Sequence, residues 1–358
     1  MAIEAQNFGL VRTGTGKAEL KCVPVPVLRP DYVLVRTIAV ALNPTDWTTL
    51  DAKGLNGSLV GCDYMGIVEE VGQAVKRNFK KGDRIAGPGH GGNDANFETG
   101  TFARYIAVKG DLQMLVPDGI SAEAAASVGS AVGTAGYGLY KVLGLPWPSL
   151  DPGEASVVED KIVFIYGGST ATGTIAIQLA KLSGCKVITT CSPKNFDLVK
   201  DRGADLVLDY HTPNVGKQVH EATGGKLTEV FDTVAVESSA QICADAFGEN
   251  GGIYCNLLGI DCPRADVKSI FFLSYSLSGE SYIFEGDHYE AQPEDLEFGS
   301  RFYSVAERLW HQGKIRAHPQ RVGPGGLVGV LDGLQEMRQG RYSGEKLVYR
   351  VDETSWPF

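Results

Sequence analysis

The stretch from Lys161 to Asn195 constrains the fold more than any other part of the chain. Its first β-branched run, Ile162–Tyr166, is too short for a globular helix and stops at two glycines, which is typical of a buried parallel strand. From Gly173 apolar residues recur at helical spacing, and a second β-branched run covers 187–191. The order strand, glycine turn, helix, strand predicts a βαβ unit of the kind that binds dinucleotides.

The glycine turn nearly fits the pattern G-x-G-x-x-G, with Thr170 in place of the middle glycine. A strand before it and a helix after it are the context in which backbone N–H groups face a pyrophosphate. Because hydroxyl groups add donors here, we expect a cofactor-binding turn; its residues are Gly168, Ser169, Thr170, Ala171, Thr172 and Gly173. The alternative is a tight turn without a ligand.

The end of the second strand favours NADPH over NADH. An NAD site places Asp or Glu there to bind the ribose hydroxyls. This chain has Ser192, Pro193, Lys194 and Asn195 instead, which offer hydrogen-bond donors and one cation to a ribose phosphate. The alternative for Lys194 is a solvated lysine at the start of the next helix.

The rest of the chain divides into a mostly β part and an α/β part. Short β-branched runs at 33–40, 66–71 and 105–108 predict a barrel-like region, followed by an alanine-rich helix over 121–143. Beyond residue 195, strands alternate with helices, which predicts a doubly wound parallel sheet. The fold class is therefore α/β, a Rossmann sheet with a mostly β domain.

Composition excludes several function classes. A chain of 358 residues has room for about two domains, and its net charge of -10 argues against binding to nucleic acid or to an anionic membrane. The first residues show no secretory signal, so we expect a cytoplasmic protein. Seven scattered cysteines are typical of reduced thiols.

Several motifs follow one another in the order seen in medium-chain dehydrogenase/reductases. Two of them, Tyr166–Thr172 and Cys191–Asp197, narrow the resemblance to the trans-acting enoyl reductases of fungal polyketide synthases, in the zinc-free, quinone-oxidoreductase-like branch. The other motifs are Asn43-Pro44-Thr45-Asp46, Gly61-x-Asp63-x-x-Gly66, Lys81–Ile85 and Ser343–Val348. The resemblance covers essentially the full length.

The resemblance implies a domain division and a set of binding residues. A GroES-like catalytic domain would comprise 1–143 and 312–358, with a linker or insertion loop at 144–160 and a Rossmann domain at 161–311 that binds NADPH in the cleft between them. The implied cofactor-binding residues outside the glycine turn are Thr45, Asp46, Trp47, Thr48, Tyr210, Leu257, Leu258, Val348 and Tyr349. The implied acyl-binding residues are Thr134, Ala135, Gly136, Tyr137, Ser281, Tyr282, Ile283 and Phe284. No catalytic residue is assigned, because Thr48 stands where related sequences often carry Lys.

We expect no metal. A catalytic zinc needs three protein ligands of Cys, His or carboxylate type. Where zinc-dependent relatives carry a ligating Cys and Gly-His-Glu, this chain has Asn43 and Gly61-Cys62-Asp63. Cys62 is expected to be a small buried thiol, and His90, in a glycine-rich loop, a solvated residue.

The resemblance implies hydride transfer from NADPH to the β-carbon of an α,β-unsaturated polyketide thioester. The implied partner is the acyl carrier domain of a polyketide synthase or of a hybrid with a nonribosomal peptide synthetase. Two alternatives stay open: a stand-alone reductase of quinones or enones, and a non-catalytic NADPH-binding accessory protein.

One helix suggests a docking surface. Apolar residues at 298, 302, 305 and 309 recur at helical spacing and should face the core, and cations cluster on the remaining positions. These cations are Arg301, Arg308, Lys314, Arg316 and Arg321. They favour an acidic carrier domain as a partner; the alternative is that they oppose the helix dipole.

Overall fold

The computed structural model describes residues 6–150 and 161–357. They form two compact units. The first unit holds the described residues up to Gly133, Tyr275–Glu307 and the residues from Ala317 onward, and the second holds Thr134–Ser274 and Arg308–Arg316. The resemblance placed 275–307 in the Rossmann domain, whereas the structure places them in the first unit.

The N-terminal part of the first unit is built from short, mostly antiparallel strands. The strands are β1 (Asn7–Gly14), β2 (Lys17–Val23), β3 (Tyr32–Ala41), β4 (Asp63–Val71), β5 (Arg84–Pro88), β6 (Tyr105–Lys109) and β7 (Met114–Leu115), and the helices that accompany them are α1 (Pro44–Asp51) and α2 (Ala122–Ala126). The predicted strands at 33–40, 66–71 and 105–108 are confirmed, because they lie within β3, β4 and β6.

The predicted helix over 121–143 is interrupted. The Ser127 hydroxyl donates to the carbonyl of Ala124 (2.8 Å), which ends α2. The chain resumes as α3 (Gly129–Gly136) and continues as a wider π-helical turn over Tyr137–Val142. Of the predicted linker, residues 144–150 form neither helix nor strand, and 151–160 lie outside the described residues.

The second unit is a doubly wound sheet. Its strands are β8 (Ile162–Tyr166), β9 (Lys186–Cys191), β10 (Leu206–Asp209), β11 (Glu229–Asp232), β12 (Gly252–Asn256) and β13 (Val267–Phe271), and its helices are α4 (Ala171–Leu182), α5 (Phe196–Asp201), α6 (Val215–Thr223) and α7 (Glu237–Ala246). All pairs are parallel, in the order β10-β9-β8-β11-β12-β13. This is the arrangement of dinucleotide-binding sheets, so the predicted fold class is confirmed.

The last part of the chain completes the first sheet. It contains β14 (Tyr282–Phe284), β15 (Asp287–Tyr289), α8 (Pro293–His311), β16 (Gln320–Gly323), α9 (Gly326–Arg338) and β17 (Lys346–Arg350). Strand β17 pairs with β3, so both ends of the chain build one seven-stranded sheet. No helix within residues 6–150 and 161–357 is long and apolar enough to cross a membrane.

Specific contacts hold Tyr275–Glu307 in the first unit. The Tyr303 hydroxyl donates to the carbonyl of Gly129 (3.0 Å). Lys109 forms an ion pair with Glu280 (2.9 Å), and Arg77 forms one with Glu307. Pairings this distant in sequence leave no periodic signal, which is why the predicted boundary differs from the observed one.

Candidate functional site

The glycine turn of the second unit is shaped by close backbone approaches. Gly167 has φ +80°, in the left-handed region that favours glycine. A Cβ added at Gly173 would lie 2.9 Å from the Gly168 Cα and closer still to the Gly167 carbonyl oxygen. Glycine at position 173 therefore lets the start of α4 pack directly against the turn that follows β8.

Thr170 uses its hydroxyl to build this turn. Its oxygen accepts the Gly173 N–H (2.8 Å) and thereby caps α4. The Thr233 hydroxyl lies 2.9 Å from it and is also 2.8 Å from the Tyr166 carbonyl, to which it must donate. The single proton of Thr170 is then directed at Thr233. Thr170 thus has a capping role, and its contact with a phosphate stays a prediction.

Two hydroxyls of the turn remain available. Ser169 and Thr172 are half-buried, and neither side chain hydrogen-bonds to any other residue that the structure describes. They lie beside the N-terminus of α4, where backbone N–H groups attract an anion. Ala171 begins the helix. The turn therefore offers both backbone and hydroxyl donors at one place.

The end of β9 carries the residues expected to choose between the two nicotinamide cofactors. The Ser192 hydroxyl lies 3.3 Å from the Tyr210 hydroxyl, and Lys194 is exposed. Pro193 begins a short 3₁₀ turn that ends at Asn195, which is buried. Serine, tyrosine and lysine groups are thereby grouped near the end of this strand.

The nearest carboxylate in register is on the neighbouring strand. Asp209 pairs with Cys191 in the β10–β9 register and accepts from the backbone N–H of His211 (3.0 Å). The His211 ring nitrogen lies 2.9 Å from the same oxygen. The His211 backbone N–H, followed by the ring, lowers the pKa of Asp209. The Asp209 carboxylate is therefore hydrogen-bonded to His211, two residues further along the chain.

Asn256 shapes the segment after β12, a role that the sequence analysis missed. Its side-chain oxygen accepts from the backbone N–H of Leu258 (3.3 Å) and of Gly259 (2.7 Å). Leu258 is 63% exposed and Leu257 is half-buried. The Asn256 amide thus fixes the backbone of the two leucines that were predicted to border the nicotinamide.

In the first unit, α1 begins at a capping box. The Asp46 carboxylate accepts the backbone N–H of Asn43 (2.7 Å), and Pro44 occupies the first helical position. The Thr48 hydroxyl is directed to the carbonyl of Thr45 (3.4 Å), and Trp47 packs against the apolar core of this unit. Of the four predicted residues 45–48, Thr45 directs its hydroxyl at the Tyr275 phenol, and Asp46 is hydrogen-bonded to the Cys62 thiol.

Asp46 is a buried carboxyl group, only 3% exposed. Burial raises the pKa of Asp46 to about 7, although the Asn43 N–H and the Cys62 thiol, which both hydrogen-bond to the carboxyl group, act to lower it. The Asp46 Oδ1 atom has no hydrogen-bond partner among the described residues. Cys62 is the buried thiol that the sequence predicted, and burial raises its pKa as well.

Tyr275 joins this polar group to an aromatic cluster. Its hydroxyl lies 2.7 Å from the Thr45 hydroxyl and 3.5 Å from the Cys62 sulfur. Its ring stacks on His90 at 3.6 Å and contacts Phe284 at 5.4 Å between ring centroids. His90 is therefore buried, and the expectation that it is solvated is wrong. No sequence motif marks Tyr275; its nearness to the predicted segment 281–284 was the only signal available.

Asp63 and Lys346 form a buried ion pair in the same unit. Asp63 also accepts from the Asn43 amide (2.8 Å) and from the backbone N–H of Ser130 (2.6 Å). No group of three or more His, Cys, Asp or Glu residues within the described ranges could hold a metal ion. Among the side chains at the positions where zinc-dependent relatives carry ligands, Asn43 and Asp63 are hydrogen-bonded to each other, and the Cys62 sulfur lies 3.5 Å from the Tyr275 hydroxyl.

The remaining predicted residues are distributed over both units. Thr134, whose hydroxyl is 3.2 Å from that of Ser274, and Tyr137, stacked on Phe272 at 4.6 Å, belong to the second unit, with Ala135 and Gly136 between them. Ser281, Tyr282, Ile283 and Phe284 belong to the first unit, in and before β14.

Val348 and Tyr349 do not present their side chains to a ligand. Val348 is fully buried, and Tyr349 packs in the apolar core of the first unit. Their assignment to cofactor binding has no support from the positions of these side chains.

The predicted basic surface is only partly present. Phe302 and Leu309 are buried, as predicted. However, Arg316 pairs with Asp201, and Arg321 pairs with both Glu336 and Glu345. Acidic neighbours therefore neutralise two of the five cations, and docking of an acidic carrier domain on this surface stays a prediction.

Comparison with known proteins identifies the family. The sequence profile described as alcohol dehydrogenase GroES-like domain matches residues 29–118, and the one described as zinc-binding dehydrogenase matches residues 171–279. Among solved structures, the CurK enoyl reductase has a TM-score of 0.76 at 18% identity, over 97% of this chain and 99% of that one. An alcohol dehydrogenase superfamily protein from Novosphingobium aromaticivorans has a TM-score of 0.78 at 22% identity, over 96% and 99%. These structures show the fold.

Relatives that are similar in sequence show a narrower family than the solved structures do. The trans-enoyl reductase TOXD of Cochliobolus carbonum is 48% identical over 278 residues, which cover 78% of this chain and 92% of that protein. The trans-enoyl reductase ACTTS2 of Alternaria alternata is 44% identical over 345 residues, which cover 96% of this chain and 98% of that protein. With such identity across nearly the whole of both chains, the protein belongs to the trans-enoyl reductases of the medium-chain dehydrogenase/reductase superfamily.

Proposed function

We propose that this chain is an NADPH-dependent trans-acting enoyl reductase that reduces the α,β-double bond of carrier-bound polyketide thioesters. The observation that carries the proposal is the 44% identity to a trans-enoyl reductase over 96% of the chain. The word "trans" in the names of the relatives describes a reductase that acts on another protein's substrate. We therefore propose a polyketide synthase as the partner, its acyl carrier domain as the donor of the substrate, and the cytoplasm as the compartment.

The glycine turn supports a dinucleotide cofactor. The backbone approach at Gly173 leaves no room for a side chain, and Ser169 and Thr172 keep their hydroxyls available at the N-terminus of α4. These features fit a pyrophosphate, which binds helix N-termini through backbone N–H groups. Bound NADPH supplies a hydride to the β-carbon of the enoyl group.

The end of β9 supports NADPH rather than NADH. The exposed ammonium group of Lys194 and the hydroxyls of Ser192 and Tyr210 can bind a ribose phosphate. The acid on the neighbouring strand, Asp209, is engaged by His211. Residues 192–195, which follow β9, contain no carboxylate that would repel a phosphate.

Zinc does not fit the residues present. One Asp63 oxygen already receives the Lys346 ammonium and the Asn43 amide, and the other receives the Ser130 N–H. A metal ion at this point would meet the positive charge of Lys346. Cys62 and Asp46 alone are fewer than the three ligands that a catalytic zinc requires. We therefore propose that the reaction runs without a metal.

The proposal is tested by steady-state assays on the purified protein. With crotonyl-pantetheine as substrate, we expect NADPH to be oxidised and butyryl-pantetheine to form, with kcat/KM for NADPH at least ten times that for NADH. Menadione, a free quinone, should be reduced far more slowly than the thioester. Reduction of menadione but not of crotonyl-pantetheine would instead favour a quinone reductase, and no oxidation of NADPH with either would favour a non-catalytic cofactor-binding protein.

A further inference from the structure

Tyr275 contacts both predicted binding segments of the first unit. Its hydroxyl meets Thr45, in the segment that the resemblance assigns to the cofactor, at 2.7 Å. Its ring meets Tyr282 and Phe284, in the segment assigned to the acyl chain, at 6.0 and 5.4 Å between centroids. Reduction of a double bond brings the hydride donor next to the β-carbon, and the α-carbon is one bond away. A group in contact with both segments therefore lies where the proton is needed.

We propose that Tyr275 is the proton donor of the reduction, and that its phenol protonates the α-carbon after hydride has reached the β-carbon. This inference rests on the proposed enoyl reductase function and names a residue for the step that the sequence left unassigned.

The phenol is held in a fixed position. The ring lies parallel to that of His90, with 3.6 Å between centroids and 2° between planes, and Tyr282 packs edge-on against both rings. The hydroxyl has two polar neighbours, Thr45 and Cys62. If the Thr45 hydroxyl donates to the phenol oxygen, the phenol proton is directed at the Cys62 sulfur, a weak acceptor at 3.5 Å that can give it up to a substrate carbanion. Fixed geometry of this kind is what general acid catalysis requires.

The protonation state of the phenol suits a donor. Burial raises the pKa of Tyr275 well above its ordinary value, and the nearby Cys62 thiol acts in the same direction. The phenol therefore stays protonated throughout the physiological range. Burial lowers the pKa of His90 to about 3, so the ring stacked on the phenol is neutral. The Lys346 ammonium group of the same unit is already bound to Asp63.

The reduction forms two new C–H bonds in sequence. The new C–H bond at the β-carbon takes the hydride pair, and the π electrons of the double bond move to the thioester as an enolate. The α-carbon of the enolate then forms a C–H bond with the phenol proton, and the O–H bond of Tyr275 breaks. The phenolate regains a proton through its hydrogen-bond partners, Thr45 and Cys62. The Asp46 carboxyl group, hydrogen-bonded to the Cys62 thiol, is the next proton source in this proposed chain, and solvent must restore its proton between turnovers.

The test compares Tyr275→Phe with wild type in D₂O, with crotonyl-pantetheine and NADPH. We expect kcat to fall about 100-fold or more, within the range that general acids contribute, while the dissociation constant for NADPH measured by fluorescence stays within twofold. Wild type should place deuterium on one face of the α-carbon, as read by NMR of the product. The variant should place it on both faces, because water then protonates the enolate.

Tyr289→Phe is the matched control. It removes the phenol of a tyrosine in β15, whose ring stacks on Tyr282 at 4.8 Å between centroids, and the variant should keep both the rate and the single labelled face. The labelled face is read on whatever product forms, so a slow or less stable Tyr275→Phe protein still tests the inference. Retention of one labelled face and of kcat within threefold would overturn the inference. An inactive wild type would overturn the proposed function instead.

Discussion

At the scale of single residues, Lys194 is the clearest determinant of cofactor choice. A phosphate contact from a cation contributes about 1.5–3 kcal/mol, or roughly one to two decades in affinity. We expect Lys194→Glu to raise KM for NADPH about 10- to 100-fold and to change KM for NADH by less than threefold, in steady-state assays with both cofactors. Lys217→Glu, the same charge change at an exposed position in α6, is the control. Equal effects on both cofactors would contradict the assignment of Lys194.

Asp46 is expected to make stability depend on pH. Its pKa is about 7 in the folded protein, against an ordinary value of 3.8. The unfolded chain therefore loses this proton at a lower pH than the folded protein. As the pH rises from about 4 to 7, ionisation of Asp46 lowers the free energy of unfolding by at most ~4 kcal/mol. Asn in its place still accepts the Asn43 N–H but cannot ionise.

The measurement is urea unfolding of Asp46→Asn and wild type at pH 4.5 and pH 8. Relative to wild type, the variant should gain about 1–4 kcal/mol of unfolding free energy between the two pH values. Asp118→Asn, at an exposed turn, should show no such gain. A difference between variant and wild type that stays constant with pH would mean that Asp46 titrates as an ordinary surface acid.

At the scale of elements, the turn before α4 predicts an unusual response to alanine. Alanine normally stabilises a helix relative to glycine by about 1 kcal/mol. At Gly173, however, the added Cβ would meet the backbone of Gly167 and Gly168. We expect Gly173→Ala to lower the unfolding free energy by about 1–3 kcal/mol and to weaken NADPH binding. Gly14→Ala, where the nearest atom would be 4.0 Å away, should be nearly neutral, and an equally neutral Gly173→Ala would contradict the packing argument.

The same elements show what a sequence can predict. Ile162–Tyr166 coincides with β8, because a short β-branched run between polar residues and glycines is a local signal. The hydrogen bond between Thr170 and Thr233 could not be predicted, because the two residues are 63 positions apart. The burial of His90 could not be predicted for the same reason, since it involves the rings of Tyr275 and Tyr282. No sequence motif marks Tyr275, so the proposed proton donor emerges only from tertiary contacts.

At the scale of the whole molecule, the absence of fitting zinc ligands among the described residues predicts insensitivity to chelators. Dialysis against a strong chelator should leave the rate of NADPH oxidation unchanged, and metal analysis of the purified protein should find far less than stoichiometric zinc. Added zinc should not increase activity. A stoichiometric zinc whose removal abolishes turnover would contradict the proposal that Lys346 takes the place of a metal beside Asp63.

The Lys346–Asp63 pair also connects the two ends of the chain. The partners are 283 residues apart, and both are almost completely buried. Loss of one partner of a buried ion pair leaves an uncompensated charge and typically costs about 3–5 kcal/mol, whereas an exposed pair contributes about 0–1 kcal/mol. Lys346→Met should therefore destabilise the first unit by several kcal/mol. Arg350 lies in the same strand as Lys346 and forms an exposed ion pair with Glu123, so Arg350→Met should be nearly neutral.

Hydrogen exchange of the β3 and β17 amides is the appropriate measurement, because it reports on the sheet that both chain ends build. Lys346→Met should speed exchange in both strands, and the double variant Asp63→Asn with Lys346→Met should restore part of the protection. The reason is that Asn at position 63 can still accept the Ser130 N–H but brings no buried charge. If Lys346→Met and Arg350→Met change protection equally, the buried pair contributes no more than a surface pair, and the junction of the chain ends depends on apolar packing alone.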